Sequence, residues 1–209
     1  MVLPVQRASG PQGGRVGAPR HVLALRFRLM ALAPGTHMLR PESGKVEVRT
    51  YREGVAQKIG HDLIIDVERW EATVEVGEDG NPSAVGFEAD AHSLQVREGL
   101  RGVKPLSDKD RAEIREDIDE KILLGQPIAF RSSAVEAGDG RLTVRGELTM
   151  AGTTRPASFE LELTAEGRIS GTLPVTQSEW GIEPYRAFMG ALKVRDAVEI
   201  VIEVRLPSD

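Results

Sequence analysis

Gly44-Lys45-Val46-Glu47-Val48-Arg49-Thr50 is the stretch that decides the fold. Val46, Val48 and Thr50 alternate with Lys45, Glu47 and Arg49, and a period of two with one apolar side marks a half-buried β-strand. The same period spreads outward. Leu63, Ile65 and Val67 alternate with Asp62 and Asp66, and Ala72, Val74 and Val76 alternate with Glu71, Thr73 and Glu75. Val85, Phe87, Ala89 and Ala91 then share one face, followed by Ile128 with Phe130 and by Leu142 with Val144 and Leu148. Phe159, Leu161 and Leu163 form another apolar face, and Val198, Ile200, Ile202, Val204 and Leu206 form the last. The opposite faces are mostly Glu, Arg, Thr and Asp, as in an antiparallel sheet with one wet side.

Asp79-Gly80, Asp139-Gly140, Ala151-Gly152 and Glu166-Gly167 break these runs, and the two Asp-Gly pairs suit hairpin turns that need positive φ. Successive strands are therefore antiparallel neighbours. The expectation is a mainly β chain forming a closed antiparallel barrel of eight or nine strands, because closure leaves no exposed edge. One stretch departs from period two. Ser107-Asp108-Lys109-Asp110 reads as an N-cap with an acid three residues on, Ile114, Ile118 and Ile122 recur every fourth residue, and Gly125 supplies the stop. This predicts one amphipathic helix of about four turns, its apolar stripe lying on an open end of the barrel. A short helical segment is also expected near Pro184 to Leu192.

The chain has 209 residues with 27 Lys and Arg against 32 Asp and Glu, a net charge of −5, which argues against a basic nucleic-acid binder. There is no cysteine, so disulfides, thiolate metal sites and a thiol nucleophile are excluded. Arg7, Arg15, Arg20, Arg26 and Arg28 all fall within residues 1–30, which hold no acid. Residues 1–41 are expected to form a disordered N-terminal extension, their Gly- and Pro-rich start being too polar to offset its ordering entropy, and 42–209 the folded domain. Val22-Leu23-Ala24-Leu25 is interrupted by Arg26 and Arg28, too short an apolar run for a signal peptide, and no run approaches the roughly 18–20 residues of a transmembrane segment. A soluble, cytoplasmic protein is the expectation by default.

No P-loop, GxGxxG, HExxH, GxSxG or EF-hand pattern is present, so no cofactor or metal is expected. Of the histidines His21, His37, His61 and His92, two lie in or beside the extension, and a three-histidine site would need one of them to fold back. His61 opens a strand directly after Gly60; it either contacts a ligand headgroup or fixes the backbone of residues 54–60. Adjacent strand residues face opposite ways, which argues against a His61–Asp62 catalytic dyad. Trp180 and Tyr185 crowd one loop, where they either gate a cavity or plug a barrel end. Lys104, Arg186 and Lys193 either offer positive charge to a phosphate or are solvated surface cations.

Gly60-His61-Asp62-Leu63 opening a strand, the acidic helix between strands, the Leu142-to-Leu163 hairpin with Gly152-Thr153-Thr154-Arg155-Pro156, and the closing Val194-Arg195-Asp196-Ala197-Val198-Glu199-Ile200 together resemble the YceI-like family. The resemblance covers residues 42 to 206 and implies an extended lipocalin-like barrel with a helix that binds a polyisoprenoid chain, often with a diphosphate end. Many such proteins are exported, whereas this chain carries no evident export signal. Ala72, Ala89, Ala91, Ala129 and Gly146 suggest an interior with room to spare. The expected function is non-enzymatic sequestration or carriage of an isoprenoid or other long-chain lipid. Leu63, Ile65, Trp70, Val74, Phe87 and Phe130 are the expected lining from the first half of the chain. Val144, Leu148, Phe159, Leu161, Ile200 and Ile202 supply the rest, with His61 and Arg186 at the headgroup. Two rival readings stay open: an enzyme of lipocalin-like fold with His61 as acid/base, and a protein-interaction module with a filled core. A homodimer is compatible with either.

Overall fold

The computed structural model describes residues 33–164 and 166–207. In chain order the elements begin with strands β1 (Gly35–Leu39), β2 (Gly44–Thr50), β3 (Arg52–Glu53), β4 (Asp62–Val67), β5 (Trp70–Val76), β6 (Pro82–Ala89) and β7 (Leu94–Leu100). Helix α1 (Asp108–Asp117) runs directly into a π-helical turn, Ile118–Ile122. The chain then forms β8 (Ile128–Gly138), β9 (Arg141–Met150), β10 (Thr153–Leu163), β11 (Arg168–Thr176), β12 (Arg186–Ala187), β13 (Leu192–Val194) and β14 (Ala197–Arg205).

Eleven strands form one antiparallel sheet in the order β1-β5-β6-β8-β9-β10-β11-β14-β2-β4-β7, and β12-β13-β3 form a small second sheet. The expected turn chemistry is in place: Asp139 and Gly140, at φ 50° and 76°, turn β8 into β9. Gly44 shows how tightly β2 is set against β14, since a Cβ there would meet the Glu203 carbonyl oxygen at 2.2 Å.

The sheet is strongly curled but not closed, which corrects the expected eight- or nine-stranded closed barrel to a half-barrel of eleven strands. Its two ends meet at one corner, where β4 passes into β5 and β6 passes into β7. There Glu68 N–H donates to the Ser93 carbonyl (3.1 Å), Asp90 N–H to the Arg69 carbonyl (3.1 Å) and Arg69 N–H to Ser93 Oγ (3.0 Å). Beyond that corner the ends part, and among the described residues no ladder joins β1 to β7. Helix α1 takes the place a further strand would occupy. The Arg111 guanidinium donates to the carbonyls of Val96 (2.8 Å) and Arg97 (2.6 Å) in edge strand β7, so the edge is covered without closure.

Residues 1–32 of the expected extension lie outside the described residues. Gly35–Leu39, by contrast, pairs with β5 and buries Leu39, so the ordered domain starts before residue 42. The Ser107 capping box is formed, with Asp110 N–H donating to Ser107 Oγ (3.2 Å) and Ser107 N–H to Asp110 Oδ2 (2.8 Å). The short helical segment expected near Pro184 to Leu192 is reduced to the 3-10 turn Phe188–Gly190. Phe188 and Met189 both have positive φ, and a single 3-10 turn separates β12 from β13.

The interior has two unlike halves. Against β5, β6, β8, β9 and β10 it is filled, with Trp70 stacked on Phe87 (centroids 6.2 Å apart) and Phe130 tilted on Phe159 (5.2 Å). Gly146 makes room for this packing: a Cβ there would lie 2.6 Å from the Phe130 ring and 2.1 Å from the Arg131 carbonyl oxygen. On the outer face of the other half, Glu47 is fully buried among Lys45 (2.8 Å), Arg49 (3.1 Å) and Arg97 (2.8 Å). Burial opposes its ionisation, but hydrogen bonds from Lys45, Arg97 and Arg49 outweigh that and hold the carboxyl at about 2.

Candidate functional site: an apolar cavity beneath the helix

The second half of the interior is hollow. A cavity of about 290 Å³ lies between the inward faces of β2, β4, β11 and β14 and the helical segment. The strands supply Val48, Leu63, Ile65, Val175, Val198 and Ile200. Opposite them stand Ile114, Ile118, Ile122 and Leu123. The helical wall exists because the isoleucines repeat every fourth residue and the π-helical turn keeps Ile118 and Ile122 pointing inward; Leu123 N–H donates back to the Ile118 carbonyl at 2.8 Å. His92 Nδ1 lies 2.7 Å from Asp119 Oδ2 and ties this turn to the sheet corner; the hydrogen bond and the charge of Asp119 raise the His92 pKa.

The polar groups collect on one side. Arg52 lines the cavity and is held from three directions. Its guanidinium donates to the carbonyls of Gly60 (2.7 Å) and Arg101, and its Nε lies 3.7 Å from Asp62 Oδ1, which also accepts from Arg52 N–H at 2.9 Å. His61, Lys193, Gln177 and Tyr185 join it, and Thr50 and Asp117 are the remaining polar lining residues. His61 Nε2 bonds the Lys104 carbonyl at 2.7 Å, and a Cβ on Gly102 would lie 1.9 Å from the same nitrogen, so the ring is clamped against the 100–106 loop. Ile59 and Tyr185 both line the cavity and are 53% and 40% exposed, which marks this side as the mouth.

A model of the YceI-like domain matches residues 47–206. The chain belongs to the YceI-like family. Its members are known as polyisoprenoid-binding proteins. The YceI-like fold is shared with Burkholderia cenocepacia BcnA at 17% identity, with a TM-score of 0.58 over 78% of this chain and 96% of that one. A mutant CJ YCEI protein made for nanotechnology applications is 12% identical, with a TM-score of 0.50 over 69% and 85% of the two chains. The Campylobacter jejuni YCEI protein is 13% identical with a TM-score of 0.49 over the same shares. No curated protein sequence matches the chain.

Within this YceI-like domain, His61, Leu63, Ile65 and Ile200 line the cavity. Trp70, Val74, Phe130, Val144, Leu148 and Leu161 are buried in the packed core, and Phe87, Phe159 and Ile202 pack against it partly buried. Arg186 is exposed on β12, away from the cavity wall. Trp180 is a plug: it is buried, and its Nε1 donates to the Leu148 carbonyl at 2.9 Å. Tyr185 stands at the mouth. Sequence reasoning passed over Arg52, which sits in a two-residue strand with no pattern around it, and over the helical isoleucines as lining, although their stripe was visible. Asp62 does not pair with His61, in keeping with their opposite faces. Among the described residues no group of three or more His, Asp or Glu is placed to hold a metal ion, and no helix is long and apolar enough to cross a membrane.

Proposed function

We propose that this YceI-like protein binds, without chemistry, one apolar chain of isoprenoid type in the cavity beneath the helix, and so sequesters or carries it. The observation that carries this reading is an unfilled space walled by aliphatic side chains, with its cation and hydrogen-bonding groups gathered at the mouth. Burying each methylene is favourable by about 0.8 kcal/mol, so such walls hold a hydrocarbon without directional contacts. Arg52 and His61 are placed to meet a polar or anionic head. At roughly 30 Å³ for each methylene-sized group, about ten groups fit within 290 Å³, and the rest of a longer chain leaves past Ile59 and Tyr185.

The enzyme reading has weaker support. His61 is engaged by a backbone carbonyl, and its neighbour Asp62 is occupied with Arg52. The filled-core interaction module is disfavoured by the cavity itself. Titration with a fluorescent isoprenoid analogue tests the proposal: one equivalent is expected to bind the native chain, and Ile200→Trp, which fills the space from the strand side, is expected to abolish binding while the chain still melts cooperatively. Undiminished binding by a folded Ile200→Trp chain would contradict it.

A further inference from the structure

We propose that the face around the cavity mouth docks on anionic lipid bilayers, so that an apolar chain moves between membrane and cavity without crossing water. The proposal rests on the cavity being an apolar-chain site. Three loops meet at the mouth: residues 54–60, 100–106 and 185–195. Ala56 N–H donates to the Ala191 carbonyl (2.9 Å), Arg52 bridges the carbonyls of Gly60 and Arg101, and His61 bonds that of Lys104, so the three form one continuous surface.

These loops gather most of the large, exposed apolar side chains among the described residues. Val55 is 94% exposed, Val103 71%, Phe188 65% and Met189 fully, and Ile59, Leu100 and Tyr185 stand among them. Elsewhere among the described residues Met38 and Leu124 alone are large, apolar and exposed. So strong a concentration of apolar side chains marks an interaction site. Phe188 and Met189 stand out further, since both hold left-handed backbone, with φ 51° and 53°, a conformation unfavourable for residues with side chains.

The charge on this face points to the partner. The chain as a whole carries −5, yet the three loops contain Lys58, Arg101, Lys104, Arg186, Lys193 and Arg195 and no acid. Glu53, Glu183 and Asp196 flank the loops, Asp117 lines the cavity but is paired with Lys121, and Arg101 lies 3.3 Å from Asp62; the five other cations of the loops outnumber the three flanking acids. Apolar tips that enter the acyl boundary and cations that meet anionic headgroups are the two signals a reversible peripheral anchor uses. The apolar rim is also continuous with the cavity, because Ile59 and Tyr185 belong to both.

Co-sedimentation of the full chain with phosphatidylcholine vesicles, alone or with about a third phosphatidylglycerol, tests this. Each cation near an anionic surface strengthens binding about fivefold, so partitioning onto the anionic vesicles is expected to exceed that onto neutral ones by tenfold or more. Phe188→Ser with Met189→Ser, and separately Lys58→Glu with Lys104→Glu, are each expected to lower it at least tenfold. Both double variants keep their affinity for a soluble isoprenoid analogue measured without vesicles. Equal partitioning onto the two vesicle types, or full partitioning by either variant, would overturn the docking proposal and leave the cavity reading standing. Vesicle binding without uptake of the analogue would overturn the cavity reading instead. Binding of polyglutamate with no binding to vesicles would overturn the bilayer in favour of an acidic protein partner.

Discussion

Lengthening a linear apolar ligand by one methylene should tighten its binding about fourfold, until the cavity is full. The factor follows from about 0.8 kcal/mol per buried methylene, which is worth a little under fourfold in an equilibrium constant at room temperature. The limit comes from the space of about 290 Å³ between the helical isoleucines and β2, β4, β11 and β14. With roughly 30 Å³ for each group, the gain continues to about ten carbons. From six to ten carbons the affinity of an alkyl carboxylate series therefore rises about two hundredfold. Beyond that length each added methylene emerges between Ile59 and Tyr185, where it stays partly wet and adds less. Isothermal titration of the series, below the concentration at which each member aggregates, gives the slope directly. An affinity independent of chain length would refute an apolar cavity as the binding site. An undiminished slope to about twenty carbons would refute the stated size of the cavity.

Glu47, Gly146 and Trp180 test the frame that holds the cavity. The Glu47 carboxyl, ordinarily near 4.5, is held at about 2 in the folded chain, so its stabilising contribution is complete above pH 5 and is lost as pH falls toward 2. The loss amounts to about 3 kcal/mol, measured by denaturant unfolding; Glu47→Gln should lack this component and be less stable at neutral pH, and parallel curves for the two chains would contradict the network. Gly146→Ala should destabilise by about 2 kcal/mol or more in urea, because its Cβ would meet the Arg131 carbonyl and the Phe130 ring; unchanged stability would show that the sheet can yield there. Trp180→Phe removes the Nε1 hydrogen bond to the Leu148 carbonyl and should cost about 1 kcal/mol, seen as a melting point lowered by a few degrees; an unchanged melting point would remove the plug from the account.

Much of the frame was legible because strands with one wet face announce themselves. The alternation at Val46 and Val48, the Asp139-Gly140 turn and the Ser107 capping box each rest on local chemistry, and each is formed. Closure was not legible, since it depends on how far a twisted sheet curls and on what covers its edge. Strand β7 hid behind a bulge: Arg97 and Glu98 interrupt its period where the register against Ile64 and Ile65 shifts. Strand β1 hid because five residues at the border of a polar segment carry too little pattern to register.

The site was legible in kind and not in place. Period two says which side chains face inward, and it gives Leu63, Ile65 and Ile200 correctly as inward-facing, but it does not say which inward space stays unfilled. Small residues misled for a physical reason: Gly146 complements the Phe130 ring, so smallness there marks a tight fit and not a void. The mouth required tertiary contacts altogether, because Arg52, His61 and the 100–106 loop come together across strands distant in sequence.

The most direct measurement of the central claim is photo-labelling with an apolar chain that carries a diazirine near its tail, followed by peptide mapping of the cross-linked full chain. Label is expected on residues 114–123 and 198–200, competed away by an unlabelled chain of the same length. Label confined to the outer face of the sheet, or not displaced by competitor, would contradict a ligand held beneath the helix.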